Sequence, residues 1–307
     1  MAVSTRIIKS RIKSVQNTKK ITKAMELVSA AKMRRAIQSV LASRPYSTLA
    51  WNMVSDLAKV TDIAHHPLLS RRPAVRKIGI ICITSDRGLC GGFNAQILKA
   101  VAVFAKDRAK EAVDCEFILV GKKGQDVARR MGWQVAAAFA GFTGALSISQ
   151  IQPVASLAAA DFISGKYDAV MLAYTDFIST LKQAPRVLQL LPLNRISGLG
   201  EVGESLPRKE AGESEKKRLS AGYEYSFEPS PQRVLDVMLP RLIESQIYQA
   251  LFESSASEHS ARMMAMKSAT DSAAEMIGDL AFSYNQARQA AITREIAEIS
   301  AGKAALE

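Results

Sequence analysis

The stretch SDRGLCGGFN, Ser85–Asn94, lies between an apolar run, Lys77–Thr84, and a helical pattern over Ala95–Glu111. In that order, strand, glycine-rich turn and helix, the free N–H groups of a helix N-terminus can hold a phosphate. The spacing does not fit that chemistry. A phosphate loop of the form G-x-x-x-x-G-K-[ST] needs a lysine that reaches the β- and γ-phosphates. Here Gly88, Gly91 and Gly92 are followed by Phe93 and Asn94, and the next lysine is Lys99. The dinucleotide fingerprint G-x-G-x-x-G fails as well, since these glycines are spaced G-x-x-G-G. A structural role is expected instead, with the glycines letting a tight strand-to-helix turn pack closely. A true G-x-G-x-x-G occurs at Gly198, Gly200 and Gly203, but it leads into Glu204, Pro207 and a charged tract, not a helix, and is set aside.

The other chemistry-bearing residues are sparse. His65 and His66 precede Pro67 without nearby cysteines or a carboxylate cluster, so exposed loop histidines are expected; His259 stands alone. Asp86 and Arg87 read as a local turn or ion pair. Met263, Met264 and Met266 read as packing against a partner helix. Cys82, Cys90 and Cys115 have no C-x-x-C spacing and read as reduced thiols. No nucleophile elbow or zinc-protease motif is present. The expectation is a chain with no catalytic residue, no cofactor and no metal.

The elements around these residues read clearly. Residues 4–60 lack glycine, contain one proline, Pro45, and carry a two-faced helical pattern. On an ideal wheel Ile7, Ile8, Ile12, Val15, Ile21, Met25 and Val28 share one side. Arg6, Lys9, Lys13, Lys20, Lys23 and Arg34 share the other, with Leu27 among the basic residues. Apolar runs at 77–84, 115–121, 133–139, 168–175 and 186–193 alternate with helical patterns at 95–111, around 125–131 and at 150–163. That alternation argues an α/β fold with a mostly parallel sheet. Residues 197–222 are rich in Gly, Ser and mixed charge and read as a surface insertion. Ser230 and Pro231 then open a helix as N-cap and first helical residue. Met266, Ala269, Ala273, Ile277, Leu280, Tyr284, Ala287 and Ala291 form a seam stepping by threes and fours. Pro240 is expected to kink this helix or mark a late start. The expected organisation is an N-terminal helix over 1–60, an α/β domain over 75–195, a variable segment over 196–228 and a C-terminal helix over 229–307. The α/β domain interrupts two long helices that pair antiparallel.

Charge narrows the partners. The net charge is +12, and residues 1–40 hold ten Lys or Arg against one acid, Glu26. Such a segment seeks an acidic partner. A single-stranded nucleic acid would call for interleaved aromatics, and residues 1–40 contain no Phe, Tyr or Trp. The opening residues are too charged for a secretory signal, and no run of eighteen uncharged apolar residues is present.

Four segments together resemble the gamma-subunit family of F-type ATP synthases: Arg11–Ala36, Ser85–Asn94, Glu244–Ala273 and Ala287–Ile299. The resemblance implies a non-catalytic central rotor stalk with a Rossmann-like, mostly parallel sheet domain between two terminal helices that form an antiparallel coiled coil. It implies as partners the alpha and beta subunits of the hexameric ring, the epsilon subunit and the membrane c-subunit ring. No nucleic acid and no small-molecule substrate is implied. The place implied is peripheral, on the cytoplasmic face of the bacterial cell membrane. The function implied is to transmit rotation and so couple proton or sodium translocation to ATP synthesis or hydrolysis. By resemblance, Lys20, Lys23 and Met25 face the acidic lever loop of beta, and Arg288, Gln289, Thr293 and Glu295 meet the catch loops of the ring. The insertion at 197–222 carries no cysteine, so thiol control is not expected.

Overall fold

The structure is a computed structural model and describes residues 5–60, 66–142, 148–193, 228 and 230–304. The insertion read at 197–222 and the fingerprint at 198–203 lie outside these residues. Among the described residues ten elements follow one another: α1 (Thr5–Val60), β1 (Lys77–Ile83), α2 (Phe93–Lys110), β2 (Asp114–Val120), α3 (Lys122–Met131), β3 (Val135–Phe139), α4 (Ile148–Ile163), β4 (Ala169–Phe177), β5 (Gln183–Leu191) and α5 (Pro231–Ala304). Two compact units divide them, residues 31–261 and residues 1–30 with 262–307.

In the larger unit the five strands lie in the order β3-β2-β1-β4-β5. The first four are parallel and β5 runs antiparallel to β4. Alternation in the strands sorts two apolar layers. Ile78, Ile80 and Cys82 of β1 join Phe117 and Leu119 of β2 under α2, where Ile97, Leu98 and Val101 are buried. Ile81, Ile83, Ile118 and Val120 face the other way. They share a core with α4, with Ala50, Val54 and Leu57 of α1, and with Leu239, Leu242, Ile243 and Ile247 of α5.

Both long helices run through a proline, Pro45 in α1 and Pro240 in α5. The late start that Pro240 could mark does not occur: α5 begins at Pro231 and continues through Pro240. Its N-terminus is capped as expected, the Ser230 hydroxyl accepting from the Arg233 N–H at 3.3 Å. An interior proline costs about 3 kcal/mol, and around Pro240 the buried Leu239, Leu242 and Ile243 offset it. Within the larger unit α1 and α5 run antiparallel. The Ser47 hydroxyl lies 2.7 Å from that of Ser245 and accepts from Gln249 at 2.8 Å, and beyond the end of α1 His66 meets Asp236 at 3.4 Å. His66 is therefore not the exposed loop histidine expected: it is half-buried, and its Nδ1 accepts from the Leu68 N–H.

In the smaller unit the seam of α1 differs from the apolar side drawn on the ideal wheel. The residues turned inward are Ile8, Ile12, Val15, Lys19, Thr22, Glu26 and Ser29, a strict alternation of fours and threes. Ile7, Ile21 and Val28 are each more than half exposed. The repeat is 3.5 residues, not 3.6, so the wheel drifts by about 20° per heptad. On α5 the seam is the one expected, with Met266 and Ala273 buried and Ala269, Ile277, Leu280, Tyr284, Ala287 and Ala291 half-buried. Thr22 and Thr270 join the helices, their hydroxyl oxygens 2.8 Å apart.

Candidate functional site

The loop after β1 is closed on itself. Asn94 accepts from the Ser85 N–H at 3.0 Å and donates to the Ser85 hydroxyl at 2.7 Å and to the Cys90 sulfur at 3.2 Å. The Ser85 hydroxyl in turn donates to the Arg87 carbonyl. Asp86 lies in a bend with Arg87 and also reaches beyond it. Its carboxylate accepts from the N–H of Lys122 at 3.0 Å and of Gly141 at 3.1 Å, tying the loops after β1, β2 and β3 together. At Lys122 it supplies the negative charge that a helix N-terminus favours.

Close packing is not what Gly88 and Gly91 provide. A Cβ at either would meet nothing within 4 Å; Gly91 is required by its φ of +55°. The close approach is at Gly121, where φ is +97° and a Cβ would lie 2.1 Å from the Thr84 carbonyl oxygen, and at Gly124, where it would lie 2.9 Å from the Thr84 hydroxyl. That hydroxyl donates to the Val120 carbonyl and accepts from the Gly124 N–H, locking the end of β1 to the start of α3.

In an open α/β sheet a ligand enters where the strand order reverses, at the carboxyl ends of the strands. Here that is between β1 and β4, and α5 is bonded to the carboxyl end of β4 beside it. The β1–β4 ladder ends at the pair Cys82 and Ala173. Beyond it the Thr175 N–H donates to the Ser254 hydroxyl at 3.0 Å, and the Ser257 hydroxyl donates to the Thr175 carbonyl at 3.2 Å. The Ser260 hydroxyl donates to the Thr180 carbonyl at 2.7 Å. All three serines are buried. They lie in the quoted Glu244–Ala273 segment, and their spacing by threes was the signal in the sequence for a helix face with polar partners.

A second cluster lies at the opposite, amino end of the central strands. Glu116 of β2 accepts from Lys77 at 3.0 Å and from the Tyr167 hydroxyl at 3.0 Å, with Lys166 at 3.5 Å. Burial pushes against the Glu116 carboxylate, but these donors and cations outweigh it and hold its pKa below the ordinary value. Burial, opposed by Lys166, pushes the Tyr167 hydroxyl up to about 12. The Tyr167 ring lies over Gly79, where a Cβ would come within 2.8 Å of it. Every polar atom named here has a partner within the cluster, which makes it a brace.

The residues expected at partner contacts all fall in the smaller unit. Lys20 and Lys23 are exposed on α1, and Lys23 is paired with Glu26 at 2.9 Å, one turn along. Met25 is half-buried. Arg288, Gln289, Thr293 and Glu295 are exposed on the last turns of α5, where among the described residues none after Ala273 is buried; the Thr293 hydroxyl donates to the Gln289 carbonyl. The structure brings none of these into a cavity with another. They form two exposed helical surfaces, one basic and apolar, the other of mixed polarity. Among the described residues no helix is long and apolar enough to cross a membrane.

Comparison with known proteins agrees along the whole chain. The ATP synthase family model of the ATP-synt type matches residues 4–306. The ATP synthase gamma chain of Herpetosiphon aurantiacus is 43% identical over 310 residues, covering 99% of both chains. That of Heliobacterium modesticaldum is 42% identical over 301 residues, covering 98% of both. Among solved structures, a rotational state of the Euglena gracilis mitochondrial ATP synthase contains a chain similar in fold, with a TM-score of 0.64, 16% identity and coverage of 98% of this chain and 94% of that one. A chain of the central stalk and c-ring assembly of the Tetrahymena thermophila enzyme aligns with a TM-score of 0.59 and 22% identity, covering 81% of this chain and 99% of that one. With the strands, the self-closed loop and the paired helices in place, this chain belongs to the ATP synthase gamma-chain family.

Proposed function

We propose that the chain is the central rotor stalk of an F-type ATP synthase, a subunit without a catalytic site of its own. It turns with a membrane c ring inside a ring of alpha and beta subunits, with an epsilon subunit beside its sheet domain, and couples ion flow to ATP synthesis or hydrolysis. Its place is peripheral, at the cytoplasmic face of the membrane. The solved assemblies it resembles in fold include one of a central stalk with a c ring, and the curated relatives cover nearly its full length.

The observation that carries this reading is the inverted burial on α1. Polar and charged side chains, Lys19, Thr22, Glu26 and Ser29, line the seam, while Ile7, Ile21 and Val28 stand out beside a row of cations. An apolar rib outside a helical pair calls for a surrounding partner, and the basic row calls for acidic groups on it. In this reading Lys20, Lys23 and Met25 meet acidic loops of beta, and Arg288, Gln289, Thr293 and Glu295 meet loops higher in the ring. Exposed ion pairs contribute about 0–1 kcal/mol each, which suits contacts made and broken at every step of a turn.

Tagged chain isolated from membranes should bring alpha and beta subunits with it; their absence overturns the reading. Lys20→Glu with Lys23→Glu should assemble normally and lower the ratio of ATP-driven ion pumping to ATP hydrolysis measured in the same membranes. An unchanged ratio removes these two lysines from the contact surface.

A further inference from the structure

Within residues 31–261, α1 and α5 are attached to the sheet by different forces. Ala50, Val54 and Leu57 of α1 enter the apolar core below the sheet. Among the described residues, the side-chain hydrogen bonds of α1 run to its own carbonyls, as from Ser39 and Ser43, or to α5, as at Ser47. α5 shares that apolar core but is also bonded to the strand backbone. Ser254 and Ser257 hold the backbone N–H and carbonyl of Thr175, and Ser260 holds the Thr180 carbonyl and lies 3.4 Å from the Gln183 amide that donates to it. Apolar contact has no direction, so it resists separation more than it resists sliding or turning. A hydrogen bond weakens steeply with misalignment, so it fixes both the height and the rotation of the helix it holds. Three such points, spread over about 9 Å of helix, bond α5 to β4 at Thr175 and to the turn after it at Thr180.

We propose that Ser254, Ser257 and Ser260 form the joint through which torque passes between the sheet and α5, and that α1 follows through its bonds and packing to α5. The inference rests on the rotor reading. It makes these serines positioning residues for energy coupling, touching neither nucleotide nor ion. A twist applied to the sheet reaches α5 through hydrogen bonds that end on the backbone of β4 and its following turn. Without them the helix keeps its apolar seat but gains freedom to lag.

The test uses the whole complex in membranes of cells that carry no other copy of this subunit. The unaltered chain must restore coupled pumping; if it does not, the rotor reading fails before the joint is examined. Ser254→Ala with Ser257→Ala should assemble and hydrolyse ATP, while ions pumped per ATP fall at least about twofold, the lower end of what changes along a coupling path produce. Torsional stiffness of single rotors, measured with a bead on the tip of the stalk, should fall with it. Ser47→Ala, which removes the α1–α5 bonds to Ser245 and Gln249 but none between α5 and the sheet, should lower both readings less than the double variant does, since the packing of α1 on α5 remains. If the double variant does not assemble, Ser260→Ala alone at the rim decides by the same two readings. Unchanged pumping ratio and unchanged stiffness in the variant that assembles overturn the proposal, as does an equal loss in Ser47→Ala.

Discussion

The same two helices are packed in two ways. In the unit of residues 31–261, Val40, Val54 and Leu57 of α1 and Leu235, Leu239 and Ile243 of α5 are buried to 4% exposure or less. In the unit of residues 1–30 and 262–307 the α1 seam turns polar at Lys19, Thr22, Glu26 and Ser29, and on α5 burial ends at Ala273. One repeat serves both, but only the first unit encloses an apolar core of its own. The difference teaches where each unit obtains its stability. The first has it from its own sequence. The second has Ile8, Ile12 and Val15 at one end of its α1 seam, but from Lys19 to Ser29 the seam is small or polar while Ile21 and Val28 stand outside, so less apolar burial stabilises it from within. Burial of a side chain such as Ile or Val contributes about 1.5–3 kcal/mol, and the exposed Ile7, Ile21 and Val28 hold that in reserve.

The change that should break the comparison most completely is Gly121→Ala. The new Cβ would overlap the Thr84 carbonyl at a φ of +97°, combining a steric clash with backbone strain of about 1–3 kcal/mol. The sheet unit should then fail to fold or lose well over about 4 kcal/mol. Protease resistance of residues 31–261 should vanish, and a resistant sheet unit in this variant would refute the packing described at Thr84.

Next in size is a matched pair of core truncations. Leu239→Ala should cost about 2–5 kcal/mol, because Leu239 is fully buried between α5 and the sheet. Val15→Ala, in the half-buried seam, should cost about 1 kcal/mol or less in the free chain and more once the chain is assembled. Denaturant unfolding of both variants, alone and in the complex, separates a unit stable by itself from one stabilised by its surroundings. Equal costs in the free chain would erase the distinction.

The smallest effect concerns pH and belongs to the sheet unit alone. The Glu116 pKa is lowered in the folded state, so its contribution is present above the unfolded carboxylate value, near 4.5. It is lost as pH falls through the lower folded value. Glu116→Gln should therefore be less stable than the unaltered chain at neutral pH, by about 1 kcal/mol, and the gap should close as the solution is acidified. Thermal melts across that range check the sign: a gap that widens toward acid would mean the cluster does not favour the carboxylate.

The strands were legible because their signal is one-dimensional: Lys77–Thr84 and Asp168–Thr175 are apolar runs bounded by turn residues, and β1 and β4 occupy those places. The cap at Ser230 was legible for the same local reason. The antiparallel direction of β5 was not, since nothing in Arg186–Leu193 encodes which neighbour the strand meets. The inward face of α1 was not legible because apolar character and burial part company there: Ile21 and Val28 are apolar yet exposed, while Thr22 and Ser29 are polar yet buried in the seam. The glycine loop drew attention by composition, whereas the steric need for glycine sits at Gly121 and Gly124, and only the approach of Thr84 reveals it. Prolines in long helices read as breaks, yet Pro240 is carried by buried leucines on either side.

The seam of the smaller unit has a further consequence. Residues that repeat every seven along straight helices fall out of line, and they stay in contact only if the two helices wind about each other with a left hand. A wound pair is not neutral to twist. Turned one way the strands tighten and their small side chains press closer; turned the other way they open and the seam thins. A helical pair built on this repeat should therefore answer twist differently in its two senses, before any partner has touched it.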